Sequence, residues 1–309
     1  MLDWLKRLAA LTAVALVAAC GGDNDDPHPN VVQVAQGDAR FSILAEAVTA
    51  ADLASTLSGA GPFTVFAPTN DAFAALLTEL GVTKSQLLAD KPLLTAVLKY
   101  HVLPSKVVKS AVPPGLPITP LEGGIFKVDP IGTDLVITDG RNRTSRIVIA
   151  DIDASNGVVH AVDKVLLPAD KDIVQTAAAN PSFSILIEAV TAANLAGTLS
   201  GTGPFTFFAP TDAAFAALLT ELGVTKAQLL ANTPLLTKVL TYHVVPSRVL
   251  KAQVPIGAPI TTVEGESFAV DASLAITDQR GRNANIVATD ILASNGVIHV
   301  IDKVILPAP

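Results

Sequence analysis

Apolar residues in this chain are spaced for helices in one stretch and for strands in the next, and the whole succession runs twice. Between Phe41 and Leu57, Ile43, Leu44, Ala47, Val48 and Ala51 share one helical face, and Gly59 and Gly61 end the run. Phe63, Val65 and Phe66 read as a short buried strand, which Pro68 stops because it brings no N–H to a ladder. Thr69 then caps a helix in which Phe73, Leu76, Leu77 and Leu80 fall at i, i+3, i+4 and i+7. A further cap at Thr83 precedes Leu87 and Leu88, and Pro92 opens a helix running to Tyr100 and His101 with Leu93, Leu94, Val97 and Leu98 inward. The first half of the unit is therefore mostly helical.

After this point the period shortens. Ile125 to Val128, Leu135 to Thr138, Arg146 to Ala150, Val158 to Val162 and Val165 to Leu167 are β-branched runs parted by turn residues. Asp139-Gly140 and Asn156-Gly157 are hairpin signals. Helices first and antiparallel strands afterwards, without regular alternation, predict an α+β fold and not a doubly wound parallel sheet.

The same pattern returns at an offset of 142 residues, where Phe41–His101 and Phe183–His243 differ at 12 of 61 positions without a gap. A three-residue shortening between Asp271 and Leu274 reduces the offset to 139 for the remainder. Two tandem domains follow, at 31–168 and 172–307, joined by the short linker Ala169–Lys171, which holds them in contact. So little divergence means that identity between the copies does not by itself mark a functional site.

The first 30 residues are of another kind. Lys6 and Arg7 precede an apolar run from Leu8 to Ala19, and Val17-Ala18-Ala19-Cys20 closes it with small residues. Residues 1–19 read as a signal peptide. Cys20, the chain's single cysteine, has no disulfide partner within the chain and stands where the resembling lipobox of bacterial lipoproteins has its lipidated cysteine. That resemblance implies cleavage before Cys20, acylation, and attachment to the membrane through lipid, which several acyl chains make stable. In such lipoproteins an Asp after the cysteine retains the protein, so by the same resemblance Gly21 implies the outer membrane. Residues 20–30 form a flexible tether, with clustered acids, glycines and prolines and too few apolar residues to fold. No later stretch offers 18 consecutive apolar residues.

A net charge of −7 with no basic patch excludes nucleic acid as a partner. His101, His160, His243 and His299 raise the question of chemistry. However, His160 and Asp163 in one strand, like His299 and Asp302 in the other, point to opposite faces at a spacing of three. No metal-binding helix pair, nucleophile elbow or phosphate loop accompanies them, so the histidines are expected to be hydrogen-bonded structural residues, with no metal, cofactor or catalytic residue.

Three blocks together suggest a family. FTVFAPTNDAF, Tyr100-His101 in LKYHVLPS, and SNGVVHAVDKVLLP recur as FTFFAPTDAAF, Tyr242-His243 in LTYHVVPS, and SNGVIHVIDKVILP. They resemble the signature segments of the fasciclin domain. The resemblance implies two wedge-shaped β-sandwiches with helices packed on them, and a role in adhesion and matrix attachment, not catalysis. It also implies a possible partner-binding surface at Asp151-Ile152 with Tyr100-His101, and at Asp290-Ile291 with Tyr242-His243. Asp153 in the first copy faces Leu292 in the second, so the two copies need not bind equally. The expected function is a lipid-anchored envelope protein that meets an unknown protein or glycan on a surface or matrix. A second reading, prompted by the Ala, Val and Leu content, is a carrier of an apolar carotenoid- or lipid-like molecule. A third is an enzyme using Tyr100, His101 and an acid.

Overall fold

The computed structural model describes residues 28–309, so the signal segment, Cys20 and most of the tether lie outside the described residues. The first domain opens with α1 (Val31–Gly37), whose N-terminus is closed by a reciprocal Asn30–Gln33 capping box. Next come α2 (Ser42–Ala50) and α3 (Ala54–Leu57). The single helix expected from Phe41 to Leu57 is therefore two. Asp52 adopts a left-handed φ of 56°, and Leu53 N–H turns back to the Val48 carbonyl at 3.0 Å, which ends α2 at a point where the apolar spacing does not break.

β1 (Phe63–Pro68) passes directly into α4 (Asn70–Leu80), and Thr69 Oγ1 accepts the Ala72 N–H at 3.2 Å. Gly81, at φ 65°, ends α4. α5 (Lys84–Ala89) and α6 (Lys91–Tyr100) complete the helical layer, and β2 (Val102–Leu103) returns to the sheet. β3 (Pro117–Ile118), β4 (Phe126–Ile131), β5 (Asp134–Thr138), β6 (Thr144–Ala154) and β7 (Gly157–Val162) follow.

The second domain repeats this succession. Its helices are α7 (Ile173–Ala178), α8 (Ser184–Ala192), α9 (Ala196–Leu199), α10 (Asp212–Leu222), α11 (Lys226–Ala231) and α12 (Thr233–Tyr242). Its strands are β8 (Phe205–Pro210), between α9 and α10, then β9 (Val244–Val245), β10 (Pro259–Thr261), β11 (Ser267–Val270), β12 (Ala275–Thr277), β13 (Asn283–Ala293) and β14 (Gly296–Ile301).

Among the described residues each domain builds one seven-stranded sheet, ordered β2-β1-β7-β6-β5-β4-β3 in the first and β10-β11-β12-β13-β14-β8-β9 in the second. The sheets are not wholly antiparallel, since β1 pairs parallel to β7 and β8 to β14. The helices between β1 and β7, and those strands' burial on both faces, make that arrangement possible. Val165–Leu167, expected as a strand, lies outside the sheet; Leu166 N–H donates to His101 Nε2 and Leu167 N–H to Asp139 Oδ2.

Each sheet curls. Phe66 on β1 and Phe126 on β4 stand four places apart in the strand order, yet their rings meet edge-to-face at 5.2 Å. The curl comes from the long β6, whose register against β7 slips twice between Ile147 and Ile152. Two apolar cores result. One, including Phe41, Leu44, Phe73, Leu94 and Val159, lies between helices and sheet. The other, including Phe66, Tyr100, Phe126 and Ile137, lies within the curl.

The fold also explains why the sequence blocks recur together. Asn156 donates to the carbonyls of Leu57 and Gly59, both at 2.8 Å, and accepts the Val31 N–H at 3.0 Å, while its own carbonyl takes the Phe63 N–H. A Cβ on Gly157 would sit 2.1 Å from the Phe63 carbonyl oxygen, so glycine is required where β7 meets β1.

Candidate functional site

The bulge in β6 makes Asp151 conspicuous. The residue sits between the slipped registers at φ 59°, a left-handed conformation that aspartate tolerates better than most residues. Two bonds hold it there. Its N–H donates to His160 Nδ1 at 3.1 Å, and its Oδ1 accepts the Lys109 N–H at 2.8 Å. The other ring nitrogen of His160 donates to the Val107 carbonyl at 2.8 Å. His160 therefore positions the Asp151 backbone and ties it to the segment that follows β2.

Asp151 is exposed, with its side chain at 46% of full accessibility, and Ile152 is half-buried against the helical core. Beside them Asp153 pairs with Lys106 at 2.8 Å, and that ammonium holds the Asp153 carboxyl below its ordinary range. Tyr100 and His101, expected on the same surface, are not there. Tyr100 is wholly buried against Phe126, and its hydroxyl donates to the Ile125 carbonyl. His101 is buried under β1, with Nδ1–H on the Val97 carbonyl at 2.7 Å and Nε2 accepting the Leu166 N–H at 2.9 Å. Burial lowers the His101 pKa to about 4 and raises that of the Tyr100 hydroxyl.

The second domain departs from the first at this place. Asp290 repeats the geometry, at φ 61°, with its N–H on His299 Nδ1 and its Oδ1 accepting the Lys251 N–H at 2.7 Å. Yet only 2% of its side chain is accessible, because Lys127 of the first domain places its ammonium 2.8 Å from Asp290 Oδ2 and 3.0 Å from Asp129. Burial works against the charge on Lys127, but the two carboxylates more than offset it and raise its pKa.

Next to this pair, Asn142 reads the edge of β13, donating to the Leu292 carbonyl at 3.0 Å and accepting the Leu292 N–H at 2.6 Å. Ile125 fills a small apolar cluster with Leu250, Leu292 and Val297. Asp290 thus belongs to the joint between the domains and not to an open surface, a correction to the expected second site, while half-buried Ile291 packs against the helical core of its own domain. Tyr242 and His243 are as buried as their counterparts; burial brings His243 to about 4 and raises the Tyr242 hydroxyl.

The joint rests on residues that the two copies do not share. Ala269 and Gly281 stand where the first domain has Lys127 and Asn142, and Asp153 stands where the second has Leu292. The sequence pattern beside the Asp-Ile pair points to the last difference alone. The signal for the others was present, since Lys127 and Asn142 are polar residues that one of two nearly identical copies has replaced.

A family model for the fasciclin domain matches residues 39–168 and again 181–307. The chain belongs to the fasciclin domain family. Among fasciclin relatives, protein sll1483 of Synechocystis is 45% identical over 148 residues, covering 46% of this chain and 76% of that protein. Transforming growth factor-beta-induced protein ig-h3 of Sus scrofa is 30% identical over 252 residues, covering 81% of this chain. The match spans 35% of ig-h3, so this chain corresponds to about a third of that relative's length. A solved FAS1 domain pair from the insect cell adhesion molecule fasciclin I is 18% identical at a TM-score of 0.44, covering 89% of this chain and 95% of that one.

Three further features bear on chemistry. Among the described residues no group of three or more His, Cys, Asp or Glu side chains is arranged to hold a metal ion, and no helix is long and apolar enough to cross a membrane. The apolar space under α1 and α2, lined by Val32, Leu44, Val48, Leu57 and Leu98, has a volume of about 20 Å³, room for one water and not for a carotenoid.

Proposed function

We propose that this protein is a non-enzymatic adhesion module of the cell envelope, held to the membrane by lipid on Cys20 and meeting its partner through the Asp151 face of the first domain. The observation that carries the reading is the inequality of the two copies: Asp151 is open to solvent, whereas Asp290, in the same bulge with the same histidine behind it, is covered by Lys127. A carboxylate fixed in a left-handed bulge, flanked by Lys106 and Lys109 and backed by half-buried Ile152, suits a protein or glycan that offers cationic or hydrogen-bonding groups. One face per molecule then makes the contact. Avidity comes from many lipid-anchored copies on one membrane and not from two sites on one chain.

Family membership supports this reading, as do the buried hydrogen-bonded histidines, whose ring nitrogens are occupied by backbone groups. The lipobox-like Val17-Ala18-Ala19-Cys20 supports the anchor, and Gly21 an outer-membrane address. Attachment of host cells to a surface or matrix is the test. Cells carrying Cys20→Ala should release the protein and attach less. Cells carrying Asp151→Arg should retain it and still attach less. Unchanged attachment in both strains contradicts the reading.

A further inference from the structure

We propose that the second domain holds a small carboxylate with a short apolar tail, the tail lying among α10, α11 and α12 and the carboxylate on Arg280. The inference is independent of the adhesion reading. A cavity of about 110 Å³ lies there, walled by Phe215, Leu218, Leu229, Leu236 and Leu306, with Arg280 as its one charged lining residue. That volume approaches an engineered apolar cavity of ~150 Å³ that admits benzene, which sets the tail at about six carbons. A carotenoid or a long acyl chain is far too large for it.

The first domain shows what the guanidinium accepts. Every residue lining the cavity recurs there at its offset, Arg280 as Arg141. Arg141 carries a carboxylate already, Asp170, at 3.1 Å. In the second domain the position of Asp170 is taken by Pro309. Arg280 donates through Nε to the Pro307 carbonyl at 2.9 Å and forms no ion pair among the described residues. The two remaining guanidinium nitrogens are thus available, at an apolar cavity, to the kind of group their twin binds within the chain. Arginine favours planar, two-point recognition of carboxylates over single-point contact with other anions.

Hexanoate is the probe, with 1-hexanol as its uncharged counterpart. Each is titrated into the purified protein while the methyl resonances of Leu218, Leu236 and Val239 are followed by NMR. Hexanoate should shift these methyls and leave Leu76 and Leu94 of the first domain unmoved. Arg280→Gln should weaken hexanoate at least about tenfold, the loss expected for a charge-assisted pair. Pro309→Asp, which recreates the arrangement of the first domain at an exposed position, should do the same, and 1-hexanol should bind all three proteins alike. Hexanoate that leaves the second-domain methyls unshifted, or that binds either variant as tightly as the original protein, overturns the proposal.

Discussion

At the scale of the residue, the histidines are fasteners for the backbone. His101 and His243 each donate through Nδ1 and accept through Nε2, so both need the neutral ring, and burial lowers each pKa from 6.5 to about 4. The unfolded chain therefore binds more protons than the folded one between these values. Stability from this source is fully present above pH 6.5 and is lost as pH falls toward 4. By pH 5 each histidine should have given up about 2 kcal/mol. Urea titrations at pH 7.5 and 5 should show the difference, and His101→Ala and His243→Ala should lower stability at pH 7.5 while flattening its pH dependence. A slope unchanged by both substitutions contradicts the assignment. The sequence disclosed that these histidines were structural through what was missing around them. It did not disclose that Tyr100 and His101 were hidden, because one residue pattern serves the end of a surface helix and the end of a helix driven into a core.

At the scale of the element, capping and punctuation were legible and the third dimension was not. Thr69, Thr83 and Gly81 mark helix ends by local backbone chemistry, and the helices begin and end there. The break at Asp52 escaped because the apolar face continues across it. The parallel pairing of β1 with β7 escaped because its partners are some 94 residues apart, Phe63 opposite Gly157. Comparison of the two copies gives an element-scale prediction. α2 carries Ala45 beside the residual space in the first helical core, whereas α8 carries Ile187 at the same position. Ala45→Ile should stabilise the first domain by about 1 kcal/mol, raising the denaturant midpoint of its transition without changing the slope. A loss of stability would mean that the space is too rigid to accept the branch.

At the scale of the whole molecule, the joint makes one asymmetric body from two copies of one unit. Its contacts depend on Lys127, Asn142 and Leu292, none of which its own counterpart can replace, so the same docking surfaces are not repeated in the other copy. Removing one partner from a buried ion pair leaves the other charge uncompensated. Lys127→Ala should therefore weaken the joint by about 3 kcal/mol and let the domains reorient, which interdomain residual dipolar couplings would detect. An unchanged orientation contradicts the role given to Lys127. The short linker announced that the domains touch; which faces touch depended on side chains whose meaning appears when the two copies are superposed.

Under the proposed reading, duplication left one contact face open and committed the other to the joint. The most direct measurement compares attachment of cells displaying equal amounts of Asp151→Arg or Asp290→Asn protein with that of the unaltered strain. Asp151→Arg should reduce attachment severalfold, while Asp290→Asn should leave most of it. Equal loss from both substitutions, or loss from Asp290→Asn alone, would contradict that reading.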